Sequence, residues 1–255
     1  MTKTRLWQSL HVVAALFALT MNTLANALPL YGRTTGELSD LYPNLFVPAG
    51  FTFSIWGLIY LLLIAFLAHQ FLTRAADGLM VALAPWLLFN LMMNGLWIIA
   101  WHSLQIELSV VIMLGLLISL VQLNIRLRWR KAVAPNSEKW LVRLFISIYL
   151  GWISVATIAN VTALLISMGI NGGSMEVGLT VAMILSATIL GLLFIWLRGD
   201  WPYALVIAWA LFGIYSKRMG IPDSPEILIP VLYGCLGLLL TTAGYKLFFK
   251  PAESF

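Results

Sequence analysis

Apolar residues run along this chain in long blocks separated by short polar stretches. Eight blocks stand out, near residues 7–28, 52–73, 79–101, 104–125, 140–168, 177–197, 201–216 and 226–248. A helix needs about 20 apolar residues to cross the hydrocarbon core of a bilayer. The blocks therefore predict eight transmembrane helices, the seventh short and the fifth long. The acidic residues punctuate the same pattern: Glu37, Asp40, Asp77, Glu107, Glu138, Glu176, Asp200, Asp223, Glu226 and Glu253 all fall in connections, at block ends or in the tail. Gly172-Gly173-Ser174 and Ile221-Pro222-Asp223-Ser224-Pro225 supply turn chemistry between blocks. The predicted fold class is all-α, a polytopic transmembrane helix bundle.

Composition explains why the blocks are spans and not the core of a soluble domain. The chain has 255 residues, 61% hydrophobic and 10% charged, where a soluble domain is about 45–50% apolar and about 25% charged. Lipid must solvate much of this surface. The net charge of +5 acts as an orientation signal and not as a nucleic-acid footprint, because the basic residues sit in loops. If the eight spans stand, one side carries Lys3, Arg5, Arg74, Arg126, Arg128, Arg130, Lys131, Lys139, Arg143, Arg198, Lys246 and Lys250. The other carries Arg33, Lys217 and Arg218. This bias puts both termini in the cytoplasm. A rival reading takes Met1–Ala27 as a signal peptide cut after Ala25-Asn26-Ala27, leaving seven spans. The single cysteine, Cys235, excludes internal disulfides and metal–thiolate clusters.

Polar and aromatic residues recur within the blocks at helical spacing. Asparagine is costly in hydrocarbon unless paired, so it is expected to face other helices. Trp86, Asn90, Asn94, Trp97 and Trp101 share one face of the third span. Tyr149, Trp152, Ala156, Asn160 and Ala163 share a face of the fifth, Phe53, Trp56 and Tyr60 one of the second, and Ala15, Ala18, Asn22 and Asn26 one of the first. Such stripes suit an aromatic-walled pocket for a small molecule with a few hydrogen-bonding groups. They equally suit amides that knit helices together. Trp7, Trp129, Trp140, Trp196 and Trp201 are expected in interfacial belts. Gly234, Gly237, Thr241 and Gly244 form a small-residue face in the eighth span, expected to pack closely against a neighbour. His11, His69 and His102 lie far apart along the chain, too scattered to predict a metal site. No carboxylate or cation lies deep in a span, and no catalytic constellation is visible.

Three segments together resemble the TspO/MBR family, the tryptophan-rich sensory or translocator proteins. Pro48-Ala-Gly-Phe-Thr-Phe-Ser-Ile-Trp56-Gly57-Leu-Ile-Tyr60 is similar to the start of that family's second helix. Asn94-Gly-Leu-Trp97 is similar to its third-helix motif, and Trp152 to Asn160 to the Trp-x-x-x-Ala-Thr-x-x-Asn of its fifth. The resemblance covers residues 8–169 and divides the chain into a five-helix TspO-like bundle (1–170) and a three-helix extension (171–255). Gly50 and Gly95 stand where the family has tryptophans, and Ile98-Ile99 replace a Pro-containing step.

The resemblance implies a membrane protein that binds, and transports or senses, a planar apolar molecule such as a tetrapyrrole or sterol. Porphyrin or heme would be its ligand, and no resident cofactor is expected. Matching positions are Trp56, Tyr60, Asn94, Trp97, Trp152, Ala156 and Asn160. The stripes add Asn26, Asn90 and Trp101, and Pro48 shapes the loop of residues 30–48 that would cover the pocket. The expected location is the inner membrane of a bacterium. Expected partners are membrane lipids and a small apolar ligand, with a homodimer left open. Rival readings are a facilitator of a small neutral solute, a tetrapyrrole-degrading enzyme and a subunit that scaffolds a partner.

Overall fold

The computed structural model describes residues 3–72, 77–128 and 138–249. Arg74, Arg130, Lys131, Lys250 and Glu253 of the charge pattern, and Trp129 of the expected belt, lie outside the described residues. The described residues are helical and contain no strand. In chain order the helices are α1 (Lys3–Ala27), the short α2 (Thr35–Asp40), α3 (Ile55–Leu72), α4 (Asp77–His102), α5 (Ile106–Arg128), α6 (Leu144–Ser167), α7 (Glu176–Arg198), α8 (Trp201–Met219) and α9 (Leu228–Phe249). A 3-10 turn, Gly50–Ser54, leads into α3, and a π-helical turn, Lys139–Arg143, leads into α6.

Each predicted block is one long helix. Seven stretches are long and apolar enough to cross a membrane: Thr4–Ala27, Gly50–Phe71, Val81–His102, Ile106–Leu127, Lys139–Ser167, Gly173–Arg198 and Leu228–Phe249. The exception is α8. Trp201-Pro202-Tyr203 opens it and Lys217-Arg218 closes it, so its apolar run is short. Ala204, Ile207, Ala210, Leu211 and Ile214 are fully enclosed, while Leu205, Phe212 and Met219 on the same helix are exposed. On the other helices large apolar residues such as Leu61, Val111, Leu197 and Phe248 point outward, as expected where hydrocarbon is the solvent.

The chain forms two compact units, each discontinuous in sequence, divided differently from the 1–170 and 171–255 expectation. The first comprises Met1–Thr35 and Ile55–Leu150, the second Gly36–Ser54 and Gly151–Phe255. In the first unit α4 packs between α1 and α5, and α3 packs on α1. Gly95 explains one departure from the family pattern: a Cβ there would lie 2.3 Å from a ring carbon of Phe17. The Phe17 ring of α1 therefore fills the space beside α4 that a side chain at 95 would need. His11 joins α1 to two neighbours, with Nε2 3.1 Å from the Ala84 carbonyl oxygen and Nδ1 3.3 Å from the Gln70 side-chain amide.

In the second unit α7, α8 and α9 pack on one another. Gly191 lets them close, since a Cβ there would lie 2.7 Å from Leu239. Asp200 caps α8 by accepting from the Tyr203 backbone N–H at 3.2 Å. The Tyr203 ring stacks on Phe194 at 3.7 Å, and its hydroxyl donates to Ser154 Oγ at 2.9 Å. The expected close-packing face of α9 is a correction. Cβ atoms built on Gly234, Gly237 and Gly244 would meet nothing within 4 Å, and Thr241 is exposed. The helix instead buries Leu232, Cys235, Leu239 and Ala243, because these larger apolar side chains fill the α7–α8 side.

Candidate functional site

Most members of the aromatic–amide stripes turn inward. In the first unit Asn94 on α4 is a hydrogen-bond hub. Its Oδ1 accepts from Asn22 Nδ2 of α1 at 2.9 Å and from the Tyr60 hydroxyl of α3 at 3.2 Å, while its Nδ2 donates to the Tyr149 hydroxyl of α6 at 2.7 Å. One amide thus joins four helices. Asn22 Nδ2 also donates to the Ala18 carbonyl, and Asn22 Oδ1 is buried with no hydrogen-bond partner among the described residues.

A connected set of rings surrounds this hub. Trp97 stacks on Trp101 with centroids 5.7 Å apart and on Trp56 at a tilt, 6.4 Å apart. Trp56 stacks on Tyr60 at 5.4 Å and meets Tyr149 edge-on at 5.7 Å. All three indoles are buried. Each turn of α4 from 94 to 101 thus adds one member to a single face, which is the consequence of the 3, 4 spacing read in the sequence. The Trp101 end of this face is held by the α1–α2 connection. Trp101 Nε1 donates to the Thr35 carbonyl at 3.4 Å, and His102 Nε2 lies 3.2 Å from Thr35 Oγ1.

Not every residue of the sequence-derived set joins this cluster. Asn90 donates to Ser119 Oγ at 2.8 Å and ties α4 to α5. Asn26 is exposed and donates to the Asn22 carbonyl one turn back. Pro48, Trp152, Ala156 and Asn160 belong to the second unit. There Trp152 is buried and meets Phe53 edge-on at 5.8 Å, Asn160 and Pro48 are buried, and Ala156 is half-buried. Two residues of the hub, Asn22 and Tyr149, stood on the predicted stripes but outside the predicted site. Their spacing was the available signal: Asn22 follows Ala18 by one turn, and Tyr149 precedes Trp152 by three residues.

The second unit also holds the Pro48–Ser54 segment in place. The Ala49 N–H donates to the Gly213 carbonyl at 3.0 Å, Trp209 Nε1 donates to the Thr52 carbonyl at 2.9 Å, and Lys217 Nζ donates to the Asp40 carboxylate. Trp209, Gly213 and Lys217 are spaced by four on α8, so one helix face grips the connection at three points. No group of three or more His, Cys, Asp or Glu side chains able to hold a metal is found among the described residues.

Neither the curated proteins nor the solved structures give a match to this chain. The model of the TSPO-like protein family matches residues 8–245, a span that takes in α7, α8 and most of α9 as well as the first six helices. This multi-pass helical membrane chain belongs to the TSPO-like family.

Proposed function

We propose that the chain binds a planar, mostly apolar small molecule, a tetrapyrrole or a sterol-like ligand, at the aromatic cluster of Trp56, Tyr60, Trp97 and Trp101. The observation that supports this most is the buried chain of indole faces around an amide pair in which Asn22 Oδ1 has no partner among the described residues. Rings offer rigid contact area to a flat guest, and an unpaired carbonyl oxygen in hydrocarbon favours a guest that donates a hydrogen bond. The rings already contact one another, so the guest slides between indoles and displaces ring–ring contact. Trp152, Ala156 and Asn160 belong to the second unit and are not part of this cluster.

In this reading the protein is a binding, transport or sensing protein and not an enzyme. It has eight spans, α8 included, and both termini lie in the cytoplasm of a bacterial cell. Titration of protoporphyrin IX and heme into purified protein, followed by tryptophan emission, tests the ligand. Saturable quenching that weakens in Trp97→Phe and Trp56→Phe is expected, and a linear, unsaturable loss of emission for both compounds would sink it. Reporter fusions at the C-terminus test the topology, with a periplasmic signal as the contrary result.

A further inference from the structure

Five Asp, Glu, Lys or Arg side chains are buried among the described residues: Glu138, Arg143, Asp200, Arg218 and Lys246. Four of them have a counterpart in the chain. Glu138 and Arg143 pair at 3.2 Å, Asp200 caps α8, and Lys246 lies over the Trp196 ring. Arg218 differs. It is 6% exposed, and its Nε is fully enclosed with no acceptor among the described residues. It forms no ion pair there either. Lys217, its neighbour in the last turn of α8, takes the Asp40 carboxylate. Asp40 and Glu176 both act on the guanidinium electrostatically, yet neither lies within ion-pair distance. Arg218, Lys217, Asp40 and Glu176 all belong to the second unit.

A buried lysine can lose its proton, but a guanidinium keeps its charge. Burying it without an acceptor is strongly unfavourable. Nε itself is sealed off, so an acceptor from outside the described residues can reach only the two terminal nitrogens of the guanidinium. Arg218 ends a helix at the Gly220–Pro225 connection, where long basic side chains of membrane proteins reach the headgroup layer. We propose that Arg218 is a phosphate-binding residue, whose planar fork grips two oxygens of one phosphate group, with the Lys217–Asp40 pair beside it. A phospholipid headgroup and free phosphate share this chemistry.

Thermal unfolding of the purified, delipidated full chain in detergent tests the proposal. The additions are dioleoylphosphatidylglycerol, dioleoylglycerol with the same acyl chains but no phosphate, and sodium phosphate against sodium chloride at equal ionic strength. The phospholipid is expected to raise the apparent Tm of the wild type by about 5 °C, with no matching rise from dioleoylglycerol. Arg218→Gln loses that rise and Arg218→Lys keeps part of it. Arg218→Leu melts above the wild type without phosphate and below it with the phospholipid. A rise of equal size from free phosphate, also lost in Arg218→Gln, supports the site and makes its occupant soluble. Equal rises in wild type and Arg218→Gln, or no rise from either phosphate source, overturn the proposal. So does an Arg218→Leu variant that melts below the wild type in both conditions. If Arg218→Gln does not fold, the comparison of wild type with Arg218→Lys across the two dioleoyl compounds decides it.

Discussion

Gly213 of α8 and Thr52 of the segment before α3 meet so closely that no side chain fits between them. A Cβ on Gly213 would lie 2.0 Å from Thr52 Oγ1 and 2.9 Å from Thr52 Cβ. The second of these atoms is fixed to the backbone, so rotamer change alone cannot relieve the clash. Gly213→Ala is therefore expected to destabilise by about 2 kcal/mol or more, seen as a drop of about 4–8 °C in melting temperature. Adding Thr52→Gly should restore most of the loss. A double variant as unstable as Gly213→Ala alone would show that the clash lies elsewhere.

Asn94 makes three side-chain hydrogen bonds and Tyr149 takes part in one of them. Hydrogen bonds between membrane helices average about 0.6 kcal/mol. Asn94→Ala should therefore cost about 2 kcal/mol, and Tyr149→Phe about 0.6 kcal/mol. A double-mutant cycle in detergent, read by denaturant unfolding, should return a coupling near the smaller figure. Strictly additive losses would argue against the bond.

Leu104 ends α4 in the left-handed region, with φ 59°. The Gln105 N–H donates to the Ala100 carbonyl and the Leu104 N–H to the Trp101 carbonyl, the helix-ending motif in which glycine is the usual residue. Gly169 occupies the same place after α6, with φ 79° and the same pair of bonds. A left-handed leucine is strained by about 1 kcal/mol. Leu104→Gly should thus raise the melting temperature by about 2–4 °C. A fall would mean that the exposed leucine side chain makes contacts worth more than the strain.

The Lys217–Asp40 pair holds the same connection but at the surface, with the Asp40 side chain 54% exposed. Surface pairs contribute about 0–1 kcal/mol. Lys217→Ala is expected to shift stability by less than about 1 kcal/mol, and less again in 0.5 M salt, where screening is strong. A loss rivalling that of Gly213→Ala would place the grip in the ion pair and not in the close packing.

Much of the candidate site was legible before the fold. The stripe from Asn94 to Trp101 faces inward because a 3.6-residue helix puts those positions on one side, and their cost in lipid selects the protein side. Asn90 shared that stripe, yet its amide goes to Ser119 on α5. Spacing assigns a residue to a face of its own helix but says nothing of which helix lies opposite. Asn22 and Asn26 are one turn apart, and only Asn22 reaches Asn94. The grip of α8 on residues 40–52 left no trace in local pattern, since Trp209 and Thr52 are 157 positions apart in the chain.

The amino-acid sequence by itself determined where the helices run and that lipid surrounds them. A block of apolar residues about 20 long satisfies its own backbone only as a helix, whatever its neighbours do. It also determined that amides and indoles would avoid hydrocarbon. Only the tertiary structure decided which of them meet. Most spans are apolar on nearly every face, so burying one face instead of another gains little from hydropathy. The rotation and partner of each helix are then set by shape, as where Phe17 finds Gly95 and Thr52 finds Gly213.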